Sequence, residues 1–262
     1  MGKEKEKYKP IGFIESLQKN SNKDNILFVE LYYFLMNFIK NSSEDGKLEI
    51  VKQCGEAIKF IHNPSKKVQL EAVEKRGNLI QYIHNPSYDV EFEAVKQCGE
   101  SIKYIHNPSK YAQLVAVKKR GDLIQYINNP SEEVQLEAVK SSGLAIQYIN
   151  NPSEEVQLEA VRCYWDSIEY ISNPSEEVQL EAVKNNGFAI KHISNPSKAV
   201  QLEAVKTDKD SIRYIKKPTK KVISYLYETD KELFYESFNS DEILDYIYKN
   251  NSDLIYNYFE KK

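Results

Sequence analysis

The chain has 262 residues, of which 41% are apolar and 29% charged, and its formal net charge is −3. This balance is too apolar for a disordered chain and too polar for a membrane protein. The amino terminus lacks the apolar core of a signal peptide. Three cysteines without paired spacing fit a reducing compartment. We therefore expect a cytoplasmic protein that does not enter a membrane.

The first 42 residues are predicted to precede the regular part of the chain. Residues 1–10 are mostly Lys and Glu, and we expect them to form a flexible tail. Residues 11–42 end in a stretch, Leu35–Ser42, that matches the end of a repeat but lacks its Gly and Pro. Because terminal repeats must close the core of an array, residues 11–42 are predicted to form an N-terminal helical cap with a degenerate repeat.

A period of 22 residues is the main feature of residues 43–218. A fixed period in this range is typical of a stacked array. Eight units follow one another without a gap, each beginning at Ser and ending at Pro. Residues 219–262 are predicted to be divergent, Tyr-rich repeats that form a C-terminal cap. The prolines that mark the period are Pro64, Pro86, Pro108, Pro130, Pro152, Pro174, Pro196 and Pro218.

The fifth repeat, Ser131–Pro152, shows where the first helix of a unit is expected to begin. Asn129 precedes a proline, which favours extended dihedral angles and suits a helix N-cap. Pro130 would then occupy the first helical position, where its missing N–H costs nothing. Glu132, three residues after the cap, is predicted to close a capping box.

The end of the same helix is predicted at Gly143, which can adopt the left-handed C′ conformation. A second helix of about two turns is expected from Leu144 to Asn150, and a helix this short requires stacking to persist in water. No alternation with a period of two is present in the sequence. The predicted fold class is therefore all-α, an α-solenoid of about eight two-helix repeats with helical caps.

The core Ala-Val-Lys-x-x-Gly-x-Ala-Ile within Val178–Ile190 carries a resemblance. It resembles the short helical repeats that are catalogued as a domain of unknown function in bacteria, amoebae and large viruses. It is more distantly similar to HEAT-like and leucine-rich-variant repeats. The likeness covers about two-thirds of the chain. It implies a helical-repeat fold and carries no settled activity.

No residue pattern predicts catalysis, a metal or a cofactor. His62, His84 and His106 recur one repeat apart, which would separate their rings by roughly 10 Å. Zinc ligands must lie within about 2.0–2.3 Å of a single ion, so we expect solvated histidines. His192 stands where other repeats have Tyr and is expected to be packed. Phosphate-loop and nucleophile signatures are missing, and we expect a protein that is not an enzyme.

The sixth repeat departs from the pattern, because Trp165 stands where six of the eight repeats carry Gly. Leu144 and Phe188 follow the Gly of the adjacent repeats, so stacking is expected to form an apolar strip with an acidic rim. Exposed apolar patches with a polar rim mark partner sites, and Trp and Tyr are favoured hot-spot residues. The alternative is that Trp165 folds inward to fill a gap. The predicted partner-binding residues are Leu144, Arg162, Tyr164, Trp165, Phe188, Glu133, Glu155 and Glu177.

Two recurring polar sets have structural explanations as well as functional ones. Acidic residues in the first helical turn are stabilised by the helix dipole, by about 0.3–1 kcal/mol each, but they could also attract a basic partner. The second set is the Gln that recurs in the first helix of the repeats, and it is expected to form a hydrogen-bonded ladder between stacked repeats. The alternative is a row of Gln side chains that face a ligand. This set is Gln69, Gln113, Gln135, Gln157, Gln179 and Gln201.

These patterns predict a monomeric, non-enzymatic module that binds a protein or peptide. If the source is viral, the same activity would take the form of an inhibitor of a host or defence protein. The alternative function is nucleic-acid or nucleotide binding through Lys75, Arg76, Lys119 and Arg120. Repeats one to four hold 13 Lys and Arg against 11 Asp and Glu, whereas repeats five to seven hold 4 against 11. A continuous basic track, which phosphate binding favours, is therefore not predicted.

Overall fold

The computed structural model describes residues 36–237, and no strand occurs among them. Ten α-helices and eight 3₁₀-helices form between residues 44 and 237, after a helical segment that ends at residue 41. The predicted all-α repeat fold is therefore confirmed. None of the described helices combines the length and apolarity that a membrane span requires. The predicted tail at 1–10, residues 11–35 of the N-terminal cap and residues 238–262 of the C-terminal cap lie outside the described residues.

Each of the eight repeats contributes one α-helix followed by one 3₁₀-helix, and both take the number of the repeat. Two further α-helices, α9 and α10, follow the eighth repeat. The α-helices are α1 (Glu44–Gln53), α2 (Lys66–Lys75), α3 (Tyr88–Gln97), α4 (Lys110–Lys119), α5 (Glu132–Ser141), α6 (Glu154–Cys163), α7 (Glu176–Asn185), α8 (Lys198–Thr207), α9 (Lys220–Thr229) and α10 (Lys231–Ser237). The 3₁₀-helices are η1 (Gly55–Phe60), η2 (Gly77–Tyr82), η3 (Gly99–Tyr104), η4 (Gly121–Tyr126), η5 (Gly143–Tyr148), η6 (Trp165–Tyr170), η7 (Gly187–His192) and η8 (Lys209–Tyr214).

In most repeats the N-cap of the α-helix is the Ser after the proline, not the Asn before it. Ser131 is the extended N-cap of α5, with φ −63° and ψ 157°, and Ser is a favoured capping residue. Asn129 has a φ of 49°, so the predicted extended cap at Asn129 is wrong. Pro130 precedes the cap and Glu132 is the first helical residue, so the predicted first-turn proline and capping box are also wrong. The left-handed conformation is tolerated because the short Asn side chain can hydrogen-bond locally.

At Gly77, Gly121, Gly143 and Gly187, the glycine after the α-helix serves close packing against a backbone carbonyl, not a left-handed turn. No glycine among the described residues has a positive φ, and α5 ends at Ser141, so the predicted left-handed cap at Gly143 is wrong. Gly143 instead begins η5, which is a 3₁₀-helix and ends at Tyr148, short of the predicted Asn150. A Cβ atom on Gly143 would lie 2.7 Å from the carbonyl oxygen of Ala160. The absence of a side chain therefore lets α6 approach η5.

The core uses the same positions in each repeat. Val134, Ala138 and Val139 of α5 and Ile146 of η5 are at most 1% exposed. Most repeats have the same residue types at these four positions: Val, Ala and Val in the α-helix and Ile in the 3₁₀-helix. Since two turns of helix do not persist alone in water, this burial is what stabilises the 3₁₀-helices.

The chain divides into two compact units. The first holds the chain up to Lys119 together with Tyr126–Asn129, and the second holds Arg120–Gln125 together with the chain from Pro130. In the first unit, α1 to α4 pack in succession, as do η1 to η3. In the second unit, α5 to α10 pack in succession, as do η5 to η8. Each unit is thus a stack of helix pairs.

The recurring Gln of the α-helix forms a hydrogen bond with the proline that ends the preceding repeat. Its side-chain amide donates a hydrogen bond to the proline carbonyl five residues earlier, at 2.8–3.2 Å. The oxygen of Gln201 also accepts from the N–H of Thr219 in the next repeat, at 3.0 Å. Glu91, which replaces Gln in α3, accepts from the N–H of Ser109 in the same way. Each of the six glutamines therefore bonds to the repeat that precedes it, and Glu91 and Gln201 also bond to the segment that follows.

Candidate functional site

The three apolar residues of the predicted strip lie at the starts of successive 3₁₀-helices in the second unit. Leu144 is the second residue of η5, Trp165 the first of η6 and Phe188 the second of η7. Leu144 is exposed, whereas Trp165 and Phe188 are half-buried. The ring of Phe188 packs edge-on against Tyr214, with 5.9 Å between the ring centroids. Leu144 is therefore the member of the set most open to a partner.

Trp165 is neither a core residue nor a fully exposed one. Its ring lies beside that of Tyr164, with the centroids 6.1 Å apart. The ammonium of Lys191 lies 5.0 Å from the Trp165 ring centroid, in the range of a cation–π contact. Tyr164 itself is exposed. Part of the indole thus faces solvent beside an exposed tyrosine.

The predicted acidic rim is separated from the apolar residues by the length of an α-helix. Glu155 lies in the first turn of α6, whereas Tyr164 is its C-cap. Nine residues at a rise of about 1.5 Å place them roughly 13 Å apart along the axis. Glu133 and Glu177 are likewise exposed in the first turns of α5 and α7. Glu133, Glu155 and Glu177 therefore do not border the strip, and the expectation that they form its rim is wrong.

Arg162, also predicted to bind a partner, is engaged in a bond between repeats. Its Nε donates to Oε1 of Glu181 in α7, at 3.1 Å. About half of the Arg162 side chain remains exposed. Such an exposed pair contributes about 0–1 kcal/mol, so it leaves the arginine available to a competing acid.

A row of exposed tyrosines is a feature that the sequence reasoning missed. The last residue of most 3₁₀-helices is Tyr, and its exposed fraction is 40–49%. In η5 the neighbours Ile146 and Ile149 point into the core, which leaves Tyr148 between them facing outward. The signal was available as a tyrosine recurring every 22 residues beside buried isoleucines. Each unit has its own row, which is Tyr82, Tyr104 and Tyr126 in the first and Tyr148, Tyr170 and Tyr214 in the second.

Asp166, Glu169 and His192 form a cluster that the sequence reasoning also missed. Each offers one potential ligand atom, and these atoms all lie within 4.8 Å of one another. Nε2 of His192 lies 2.9 Å from Oδ1 of Asp166. Among residues 36–237 this is the one group of three His, Cys, Asp or Glu side chains with such spacing. The expectation that His192 is packed holds in part, since it is half-buried.

The basic residues of the alternative phosphate site are largely paired with acids. Nη1 of Arg76 lies 2.7 Å from Oε1 of Glu56, and Lys75 lies 3.9 Å from Glu71. Arg120 binds Asp122 through two nitrogens, at 3.1 and 2.7 Å. The hydrogen bond from Arg120 lowers the pKa of the Asp122 carboxyl below its usual value. Lys119 is exposed.

The remaining titratable candidates do not assemble a second site. His62 and His84 are exposed and line a cavity of about 450 Å³ together with Lys59 and Tyr82. The ring nitrogens of His62, His84 and His106 do not all lie within 4.8 Å of one another, as the ligand atoms of the cluster around His192 do.

The three cysteines are thiols. Burial raises the pKa of the Cys163 thiol, with the neighbouring Glu159 carboxylate as a second cause. A raised pKa keeps the thiol protonated, which is unfavourable for a nucleophile or metal ligand.

Comparison with known proteins leaves the family open. No protein-family model matches the sequence. No curated protein matches it, and no solved structure matches it. The resemblance to catalogued helical repeats therefore stays a prediction.

Proposed function

We propose that this chain is a non-enzymatic module that binds a protein or peptide segment through the 3₁₀-helix side of its second unit. The observation that carries the proposal is the row of exposed tyrosines in this unit, Tyr148, Tyr170 and Tyr214. Tyrosine supplies a large contact area at a low cost in side-chain entropy, and it is enriched at binding hot spots. Leu144 and Tyr164 add exposed apolar area at the starts of η5 and η6.

The proposed partner carries an excess of Lys and Arg. Repeats five to seven hold 11 Asp and Glu against 4 Lys and Arg, and the paired Glu residues in the first turns of α5 to α7 are exposed. Complementary charge accelerates association and disfavours wrong partners more than it adds affinity. We therefore assign affinity to the tyrosine row and selectivity to the acidic helix ends.

The proposed setting is a reducing, cytoplasmic one, with the module acting as a monomer. The three free thiols, Cys54, Cys98 and Cys163, fit a compartment in which disulfides do not persist. In a viral source, the module would act as an inhibitor that binds a host protein.

Nucleic-acid binding is the weaker proposal. Arg76 and Arg120 already bind carboxylates within their own units, so a phosphate would have to displace Glu56 or Asp122. Phosphate contacts would also make the affinity fall steeply with salt. A single-stranded oligonucleotide that binds with such a salt dependence would favour this alternative.

Selection from a displayed random-peptide library tests the proposal. We expect basic, aromatic-containing peptides that bind the purified chain, and their affinity is then measured by titration. Replacing both Tyr148 and Tyr170 with Ala should weaken binding by about 2 kcal/mol or more, as hot-spot truncations do. The matched control replaces Tyr82 and Tyr104, which occupy the same repeat position in the first unit, and should leave affinity unchanged. Equal effects of both pairs, or the absence of any binder, would contradict the proposal.

A further inference from the structure

The cluster of Asp166, Glu169 and His192 has the composition of a metal site. One imidazole and two carboxylates are ligands that zinc and other divalent transition metals accept. Two ligands about 2.1 Å from one tetrahedral ion lie about 3.4 Å apart. The ligand atoms here are separated by 2.9 Å in the His192–Asp166 pair and by at most 4.8 Å in any pair. Shifts of side-chain torsions alone would thus bring three ligands onto one ion.

The backbone brings these side chains together across one repeat boundary. Asp166 and Glu169 are three residues apart in η6, and residues i and i+3 of a 3₁₀-helix lie on the same face. His192 is the last residue of η7, and η6 packs against η7. An ion at the cluster would therefore link the sixth and seventh repeats.

Two of the three ligands are departures from the repeat, and both departures fall at this place. Glu169 is the one acid at its position among the eight repeats, and His192 is the one histidine at its position. The residues that correspond to Glu169 are Lys59, Gln81, Lys103, Gln125, Gln147, Lys191 and Arg213. Those that correspond to His192 are Phe60, Tyr82, Tyr104, Tyr126, Tyr148, Tyr170 and Tyr214. The fold does not require an acid or an imidazole at either position, since the other repeats form without them.

We propose that Asp166, Glu169 and His192 bind one divalent transition-metal ion, with zinc as the ion that best fits the ligand set. Zinc binding would replace the contact between Nε2 of His192 and Oδ1 of Asp166, because both atoms would then face the ion. Three protein ligands leave at least one coordination position to water. This site is independent of the peptide-binding proposal, because its ligands are complete within the chain.

Lys191 is the group that competes with the ion. Its ammonium lies 3.3 Å from Oδ1 of Asp166, where it would repel a cation. It also lies 5.0 Å from the Trp165 ring centroid, so it retains a favourable contact when it leaves the carboxylate. The proposal therefore makes a prediction of opposite sign for this residue: removing the Lys191 charge should strengthen metal binding.

Titration of the full chain with zinc tests the proposal. We expect one equivalent of zinc to bind, and cobalt used as a spectroscopic probe to give the visible absorption of a nitrogen- and oxygen-coordinated ion. Glu169→Gln and His192→Tyr each restore a residue that other repeats use at that position, so both variants should fold. Each should weaken zinc binding at least about tenfold, the lower range for loss of a metal-site partner, whereas Lys191→Gln should strengthen it.

A control separates this site from adventitious binding to exposed histidines. The triple variant His62→Asn, His84→Asn and His106→Asn removes the imidazoles outside the cluster, and it should leave the affinity and stoichiometry unchanged. Zinc should also raise the melting temperature of the wild type but not of His192→Tyr, because an ion that binds the folded state stabilises it. No stoichiometric zinc in the wild type, or loss of binding in the triple variant alone, would overturn the proposal.

Discussion

A Cβ atom on Gly143 would meet the carbonyl oxygen of Ala160, in the next α-helix, at 2.7 Å. It would also lie 2.8 Å from Oγ of Ser167. Real Cβ atoms do not approach backbone oxygen so closely, so Gly143→Ala must push α6 away from η5. Overpacking of this kind costs typically about 1–3 kcal/mol. We expect a loss of that size in the free energy of unfolding, measured by urea denaturation.

Gly55 provides the matched control for this substitution. It occupies the same repeat position, but a Cβ atom there would meet side-chain atoms only, the nearest being Cδ1 of Leu79 at 3.0 Å. A leucine methyl can move, and Ala restricts the unfolded chain more than Gly does, which is worth about 0.4–1 kcal/mol. Gly55→Ala should therefore be neutral or slightly stabilising. A comparable loss in both variants would mean that close approach is not the reason for glycine.

The left-handed asparagines give a second test of the repeat joint. Asn85 has a φ of 49°, and its side chain is exposed, so substitutions there report mainly on the backbone. The left-handed region costs a residue with a Cβ about 1–2 kcal/mol, whereas glycine reaches it without that cost. Asn85→Ala should lower the free energy of unfolding by about 1 kcal/mol, and Asn85→Gly should change it little. Thermal denaturation of both variants measures this order. An Asn85→Gly variant that melts below Asn85→Ala would contradict the prediction.

Stability should depend on pH at the Arg120–Asp122 pair. The hydrogen bond from Arg120 lowers the pKa of Asp122 in the folded chain, whereas the unfolded value is about 3.9. The pair therefore stabilises the fold above about pH 3.9, and this contribution disappears as the pH falls through the lowered folded pKa. Because the Arg120 and Asp122 side chains are 52% and 38% exposed, the contribution is below about 1 kcal/mol.

Asp122→Asn measures this contribution. The variant should be less stable than the wild type at neutral pH, and the difference should shrink at a pH well below about 3.9, as the wild-type carboxyl takes up its proton. Added salt should also shrink the difference, since salt screens exposed charges. A stability difference that is the same at both pH values would assign the effect of the substitution to something other than charge.

The period of the sequence predicts the fold, because spacing alone identifies the repeat and its apolar positions. The details of the joint were missed for a physical reason. Asn before Pro normally favours an extended backbone, but the chain takes a left-handed turn at Asn129. Gly143 suggested a positive φ, whereas its role is to admit the backbone of Ala160. Which constraint applies to a glycine depends on neighbours in space, which the repeat pattern does not specify.

The candidate site was predictable only in part for a related reason. Trp165 is conspicuous because it is a large aromatic residue at a position where six of the eight repeats have Gly. Glu169 is a less conspicuous change, because it replaces another polar residue, Lys, Gln or Arg, at its repeat position. His192 lies 26 residues from Asp166 in the chain. Their proximity follows from the packing of η6 on η7. An alignment of adjacent repeats shows that Glu169 and His192 each differ from the residues at the same position in the other repeats, and this comparison would have paired them.

Trp165→Gly tests whether the tryptophan belongs to the fold or to the surface. No described glycine uses a positive φ, so restoring Gly relieves no backbone strain and should not raise stability. Trp165 is half-buried, and a fully buried Trp costs about 3–5 kcal/mol when truncated. We therefore expect a loss below about 3 kcal/mol, since part of the Trp165 side chain stays in contact with solvent.

Ile168→Ala supplies the comparison within the same 3₁₀-helix. Ile168 is 2% exposed, so its truncation should cost about 2–5 kcal/mol. With the peptides selected above, the ranking should reverse: Trp165→Gly should weaken binding, because Trp165 lies beside the exposed Tyr164. Ile168→Ala should leave the affinity of the folded protein unchanged, because Ile168 is covered. If Trp165→Gly destabilises as much as Ile168→Ala and leaves affinity intact, Trp165 is a core residue.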